Sequence, residues 1–238
     1  MRARAELRVD GRGHIRRVVS APPIAFRRAG DAVYFVGTAA GPLGDDDLAI
    51  RVEVRDGGSL KVRSAAASVV YAGVRSRQRF EISVGTDATL DWYPEPVIAT
   101  SGCHHLQEVR ISLAPDARLD WTEEVVLGRH GEKPGEIELR MHVDLAGRPL
   151  LRHGLAVGAP GWDGPAILDG RRATGLRLVV GDAPPASTTG PGWAWLDLIG
   201  PARLLVAYGA DLAELRRRMA EAGRPEDYLP SASMGSRR

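Results

Sequence analysis

The sequence predicts an all-β protein of layered, helically stacked strands, mainly β with one or two helices near its C-terminus. Two copies of one motif carry the prediction. Ile82-Ser83, Asp87-Ala88 and Leu90-Asp91-Trp92 return at the same spacing as Ile111-Ser112, Asp116-Ala117 and Leu119-Asp120-Trp121. A fainter copy precedes both, with Ile50, Val52, Val54, Leu60 and Val62 at the matching places. Each copy alternates apolar and polar residues, turns at Gly or Asp, and alternates again, which reads as two short strands and a turn. A unit that small cannot bury its apolar face alone, whereas stacked copies share one continuous core.

The other elements follow in order. Residues 3–9 and 14–19 form an opening hairpin around Gly11-Arg12-Gly13. Pro22-Pro23 breaks the strand pattern, and Val33–Val36 resumes it. Gly41-Pro42-Leu43-Gly44-Asp45-Asp46-Asp47 is a turn cluster leading into the repeats. Ile137, Leu139, Met141, Val143 and Leu145 alternate with polar residues, as in a half-buried antiparallel strand, and Gly147 turns the chain into Pro149–Val157. Leu176–Val180, Ala194–Ile199 and Arg203–Tyr208 give three more strands, the last nearly all apolar and therefore central. Asp182–Gly192 is a loop by composition. A helix starts at Asp211, a natural N-cap, and runs to about Ala222, with Leu212, Leu215 and Met219 on its apolar face and Arg216, Arg217 and Arg218 near its end. Residues 1–223 are expected to form a single domain and residues 224–238 a flexible tail.

Composition narrows the function classes. The 238 residues are 44% apolar, enough for a packed core. Five of the thirteen aromatics are tryptophan, so Trp92, Trp121, Trp162, Trp193 and Trp195 are expected to anchor the packing. A net charge of +2 gives no nucleic-acid footprint. The single cysteine, Cys103, excludes an internal disulfide framework and suits a reducing compartment. With no apolar leader and no apolar run of membrane length, the expected location is cytoplasmic.

The usual catalytic signatures are missing: no P-loop, dinucleotide fingerprint, nucleophile elbow, zinc-protease motif or Cys-x-x-Cys pair occurs. Cys103-His104-His105 is the apparent metal cluster. On a strand only Cys103 and His105 share a face, giving two ligands where a tight structural site has four. The plain alternative is a polar turn between the second and third repeats. Glu123 is more informative, because Leu119, Trp121, Glu123, Val125 and Leu127 fall on one face and put a carboxylate among apolar side chains. Ser64 and Pro94 hold the equivalent places in the earlier copies. A lone charge there costs several kcal/mol unless paired or hydrated. Either Arg129, six residues on and in phase, pairs with it, or Glu123 and Ser64 line a wet path through the scaffold. Trp92-Tyr93-Pro94-Glu95-Pro96 is a stiff extended run whose prolines deny ladder hydrogen bonds, a sheet edge or an exposed ledge for a partner.

Taken in order, Pro23-Ile24, Gly41–Leu48, Ser64–Tyr71, Leu90–Ile98, Glu123-Glu124 and Gly128–Glu132 resemble the urease accessory protein UreD family, also called UreH. The series keeps the family's order and approximate spacing over residues 5–155. Gly44-Asp45-Asp46 stands where the family commonly has Gly-Gly-Asp, Arg63-Ser64 where Thr-Gln is common, and the longer basic C-terminal ending is trimmed. The resemblance implies a non-catalytic scaffold that joins UreF and the GTPase UreG, docks on apo-urease and helps load nickel, with an internal water-filled tunnel toward urease. No tightly bound cofactor is implied, only nickel in transit.

A conduit must bind its ion strongly enough to admit it and weakly enough to release it. Thiolate with imidazole traps nickel, whereas scattered carboxylates, hydroxyls and waters pass it on. Asp46, Ser64 and Glu123, with Arg129 beside them, are therefore the transit candidates. Cys103 and His105 are weak ones, and Trp92, Tyr93, Pro94, Glu95 and Pro96 are the partner-binding candidates. Two other classes compete. A hydrolase or sugar-active enzyme on a β-helical frame would use Glu95, Glu123 or Glu124, and needs two carboxylates converging on one cleft, roughly 5–9 Å apart. A plain binding module would dock a peptide on an exposed β edge.

Overall fold

The computed structural model of the protein describes residues 1–181 and 187–223. The expected tail at 224–238 and part of the loop at 182–192 lie outside these described residues. The chain opens with β1 (Arg2–Val9), β2 (Ile15–Val19), β3 (Ile24–Ala29) and β4 (Ala32–Gly37). The three repeats follow as β5 (Asp47–Val54), β6 (Ser59–Ser64) and β7 (Ser68–Val70), then β8 (Ser76–Val84), β9 (Thr89–Tyr93) and β10 (Val97–Ala99), then β11 (His104–Leu113) and β12 (Arg118–Leu127). After them come β13 (Glu136–Leu145), β14 (Arg148–Val157), β15 (Ala173–Val180), β16 (Thr189–Gly190), β17 (Trp193–Asp197), β18 (Ala202–Gly209) and α1 (Leu212–Glu221).

The first strand of every repeat joins one sheet and the second joins another. Sheet one is seven-stranded in the order β14-β13-β11-β8-β5-β1-β2. Sheet two runs β16-β17-β18-β15-β12-β9-β6-β4-β3, with β7 and β10 alongside. Successive repeats pair in parallel and in register, β5 with β8, β8 with β11, β6 with β9 and β9 with β12. Equivalent residues therefore stack into rungs. Leu60, Leu90 and Leu119 make one in sheet two, and Val62, Trp92 and Trp121 the next. Ile50, Phe80, Val109 and Met141 face them from sheet one. All of these are buried.

The Trp92 and Trp121 rings stack 4.7 Å apart at 7°, and Phe80 meets them edge-on at 5.6 and 6.4 Å. The turns stack as closely as the strands: a Cβ on Gly85 would lie 2.2 Å from the Asp56 carboxylate, which accepts a hydrogen bond from the Thr86 amide at 2.9 Å. Of the five tryptophans, Trp92, Trp121 and Trp195 are buried, and Trp162 and Trp193 are half-buried.

The core is not uniform along the strands. One rung toward the open end of sheet one, Leu48, Gln78, Gln107 and Leu139 are paired neighbours, and both glutamines are buried. One rung further stand Ser76 and His105, also buried. Asp46, just before β5, is buried too. The interior thus passes from apolar to polar within each repeat.

Several expectations are corrected. The strand pattern is not lost after Pro22-Pro23, because β3 follows at once and pairs antiparallel with β4. His104 and His105 open β11, and the turn before it closes at Thr100–Cys103, where the Cys103 amide donates to the Thr100 carbonyl at 3.1 Å. The alternating segment at 137–145 is antiparallel to β14 but parallel to β11. The late helix matches its prediction: the Asp211 carboxylate caps α1 by accepting from the Glu214 amide at 2.8 Å. Leu215 and Met219 bury the helix against sheet two, and Gly175 lets it approach, since a Cβ there would lie 2.8 Å from the Met219 sulfur. Among the described residues no helix is long and apolar enough to cross a membrane.

Candidate functional site

The site begins with what proline cannot do. β12 runs unbroken for ten residues, but its neighbour does not. β9 pairs with Arg118–Trp121 and β10 with Val125–Leu127. Between them lies Pro94-Glu95-Pro96, whose prolines have no N–H to give. The layer below is interrupted at the same place, where β6 ends at Ser64 and β7 resumes at Ser68. The Ser64 hydroxyl holds the two interruptions together, accepting from the Glu95 amide at 2.7 Å and donating to the Ala66 carbonyl at 3.0 Å. The result is a slit inside sheet two, alongside Thr122, Glu123 and Glu124.

Two cavities have Glu123 in their walls. A small one of about 40 Å³ is lined by Ser64, Pro94, Glu95, Gln107 and Glu123, among others. A larger one of about 350 Å³ lies between β12, β14, β15, β18 and the segment at 166–168, with mostly apolar walls that include Val125, Leu139, Leu155 and Leu168 beside His153 and Tyr208. Glu123 lines both. The first is the narrower and more polar of the two.

Glu123 is buried, and the amide Nε2 of Gln107, reaching over from sheet one, donates a hydrogen bond to its Oε1. The expected ion pair with Arg129 is absent. Arg129 is exposed, its guanidinium lies 6.0 Å from the Tyr71 ring centre, and its backbone amide closes a turn on Glu132. Ser64, Pro94, Glu95, Glu123 and Glu124 lie in the segments through which the family resemblance runs.

A model of the UreD urease accessory proteins matches residues 1–223. The chain belongs to the UreD family. It is 43% identical to urease accessory protein UreD 3 of Streptomyces griseus subsp. griseus, over 94% of this chain and 96% of that one. It is 38% identical to UreD 2 of Saccharopolyspora erythraea, over 92% of this chain and 81% of the relative, and 37% identical to a UreD of a Parafrankia species, over 92% and 86%.

The structure places the other sequence candidates as follows. Ser64 and Glu123 share the small cavity. Asp46 belongs to the polar end of the core, where its carboxylate accepts from the Met1 amine at 2.9 Å and from the Leu43 amide at 3.0 Å. The Trp92–Pro96 run is not an exposed ledge: Trp92 and Pro96 are buried, Tyr93 and Pro94 half-buried, and Glu95 alone is exposed. Cys103 is buried, its thiol pushed up to about 11 by burial and directed at the Glu136 carbonyl at 3.7 Å. Held as a thiol, it is a poor metal ligand. His105 shares a 2.8 Å hydrogen bond through Nδ1 with the Ser76 hydroxyl. No group of three or more His, Cys, Asp or Glu residues suited to a metal occurs among the described residues.

Two residues escaped the sequence reading. Gln107 was visible as a member of the repeat, at the place of Gln78, but nothing in a single strand shows what faces it across the core. In the sequence Arg216 is one of three arginines near a helix end, with nothing to mark its partners. It reaches the Glu124 carboxylate at 2.8 Å and that of Glu95 at 2.9 Å. Glu123 and Glu124 thus point to opposite faces of β12, one to the core and one to the helix.

Burial pushes the Glu123 carboxyl up to about 7, with the Gln107 hydrogen bond acting the other way. Burial, helped by the charge of Arg75, brings His105 down to about 4. Folded Glu123 keeps a proton that the unfolded chain releases near 4.5, so its contribution to stability falls as pH rises from 4.5 to 7. Folded His105 refuses a proton that the unfolded chain accepts below 6.5, so its contribution falls as pH drops from 6.5 to 4. The two slopes oppose one another over the shared window. Glu123→Gln should therefore gain stability relative to the parent protein as pH rises, by about 3 kcal/mol between the two ends of the Glu123 window. Urea titrations at both ends check this, and a constant difference would show that Glu123 does not carry the titration.

Proposed function

We propose that this chain is a non-catalytic urease maturation scaffold. It assembles with UreF-like and UreG-like proteins, docks on apo-urease and supports nickel insertion, the ion passing through the interior of this chain at Glu123. The observation that carries the reading is the slit in sheet two, where a buried carboxylate stands at the boundary of two cavities. A single carboxylate with hydroxyl and amide neighbours binds an ion weakly enough to let it go.

The hydrolase alternative is less well supported. Glu95 and Glu124 are both tied to Arg216, and Glu123 faces away from Glu124 toward Gln107. An acid–base pair needs two carboxylates converging on one substrate bond.

Glu123→Ala, co-expressed with UreF-like and UreG-like partners and apo-urease, is expected to fold and to enter the complex. It should lower the rate of nickel-dependent urease activation about tenfold, the effect of about 1.4 kcal/mol on a barrier. Normal activation by a folded variant would remove nickel transit at Glu123 from the function.

A further inference from the structure

We propose that the Gln107 amide is a gate on the Glu123 carboxylate: it closes the neck between the two cavities, and a divalent cation passes only by displacing it. The inference rests on the transit reading above and adds the residue that controls the passage. Four features of the geometry support it.

First, Gln107 and Glu123 come from different sheets, β11 and β12, and their contact spans the core from one sheet to the other. Second, the contact sits in the smaller of the two cavities, about 40 Å³ against about 350 Å³. A cation cannot carry a full water shell through the smaller space. It must exchange water for protein oxygen at that point, and Glu123 is the acidic residue that lines both spaces.

Third, the Gln107 side chain presents its N–H to Glu123, so the carboxylate oxygen that would receive the cation is already occupied by a donor. An amide donor competes with a cation for a carboxylate, whereas a second carboxylate in its place would join in holding it. Fourth, the neighbouring rung offers a like group: Gln78 lies beside Gln107 in register, is buried and lines the same small cavity. An amide side chain displaced from Glu123 keeps its own carbonyl oxygen available to the ion. Gln107 thus acts as a positioning residue, holding Glu123 in a state that binds weakly, which a route for a transported ion requires.

Three variants of the chain test the gate. Gln107→Glu replaces the competing donor with a second carboxylate facing the first. In equilibrium dialysis with nickel chloride it should retain Ni²⁺ about tenfold more tightly than the parent chain, and its melting temperature should rise with added Ni²⁺. The double variant Gln107→Glu/Glu123→Gln should lose both gains, which a merely structural role for Gln107 would not predict. Gln107→Asn keeps the amide but withdraws it by one methylene. At limiting nickel, in complex with its partners, it should activate urease faster than the parent chain.

The gate is overturned if folded Gln107→Glu holds nickel no more tightly than the parent, or if its tighter binding survives in the double variant. It is also overturned if folded Gln107→Asn activates at the parental rate or slower. Should Gln107→Glu fail to fold, the Gln107→Asn rate alone decides. The dialysis arm reads the competition between Gln107 and a cation for Glu123 whether or not urease is present. Failure of the transit reading shows separately, as normal activation by Glu123→Ala.

Discussion

Replacing Trp121 with alanine is expected to destabilise the protein by about 3–5 kcal/mol, the usual cost of removing a fully buried large aromatic. Trp121 is 2% exposed and stacks on Trp92, with Phe80 set edge-on to both rings. Its removal opens a void that the neighbouring rungs cannot close, because their positions are fixed by backbone pairing to β9 on one side and β15 on the other. The same change at Trp162, which is half-buried and outside this column, should cost clearly less. Denaturant titration of the two variants separates the cases. Equal losses would mean that the aromatic column is not the anchor of the stacked layers.

The second large effect is expected at Arg216. The Glu124 side chain has no exposure to solvent and its paired oxygen depends on Arg216, which comes from α1 and also holds Glu95. Arg216→Ala would leave a buried carboxylate without a countercharge, a loss of about 3–5 kcal/mol. Burial already raises the pKa of Glu124, with the Arg216 contact opposing that rise. Without Arg216 the carboxyl takes up a proton more readily, so the deficit should shrink as the solution is acidified. Glu124→Gln on the Arg216→Ala background should recover much of the loss. If Arg216→Ala melts like the parent protein at neutral pH, the Arg216 pairing adds nothing to what Leu215, Met219 and the Trp195–Ala222 hydrogen bond already hold.

The fold was legible where pattern is local. Alternation and the recurring Leu-Asp-Trp end fixed the phase of β8, β9, β11 and β12, and Asp211 with its following apolar face fixed α1. The same phase counting placed Ser64, Pro94 and Glu123 in equivalent positions, and the small cavity does bring the three together. What phase cannot supply is the partner across a gap. Arg129 matched Glu123 in alternation, yet the strand ends at Leu127 and the chain turns outward at Gly128, so matching phase meant nothing beyond the turn.

Gln107 and Arg216 reach the two glutamates from other elements, and a carboxylate's partner is chosen by three-dimensional neighbours rather than by spacing. The Pro94-Glu95-Pro96 run does not join a ladder, as its prolines dictate, but the consequence differs from the expected edge or ledge. Flanked on both sides by strands of the same sheet, the two prolines make an opening within it rather than an edge.

The in-register stacking of the repeats also bears on how the chain reaches its native state. Val62, Trp92 and Trp121 are neighbours in space yet about thirty residues apart in the chain, and such non-local pairing slows folding relative to hairpins. Each completed layer offers a bare ladder to the next, so assembly can proceed as templating from either end, and a synthesis-coupled path would leave the newest ladder exposed until its successor emerges. A partner that covers that growing face would shield the newborn chain from adding a strand of the wrong molecule.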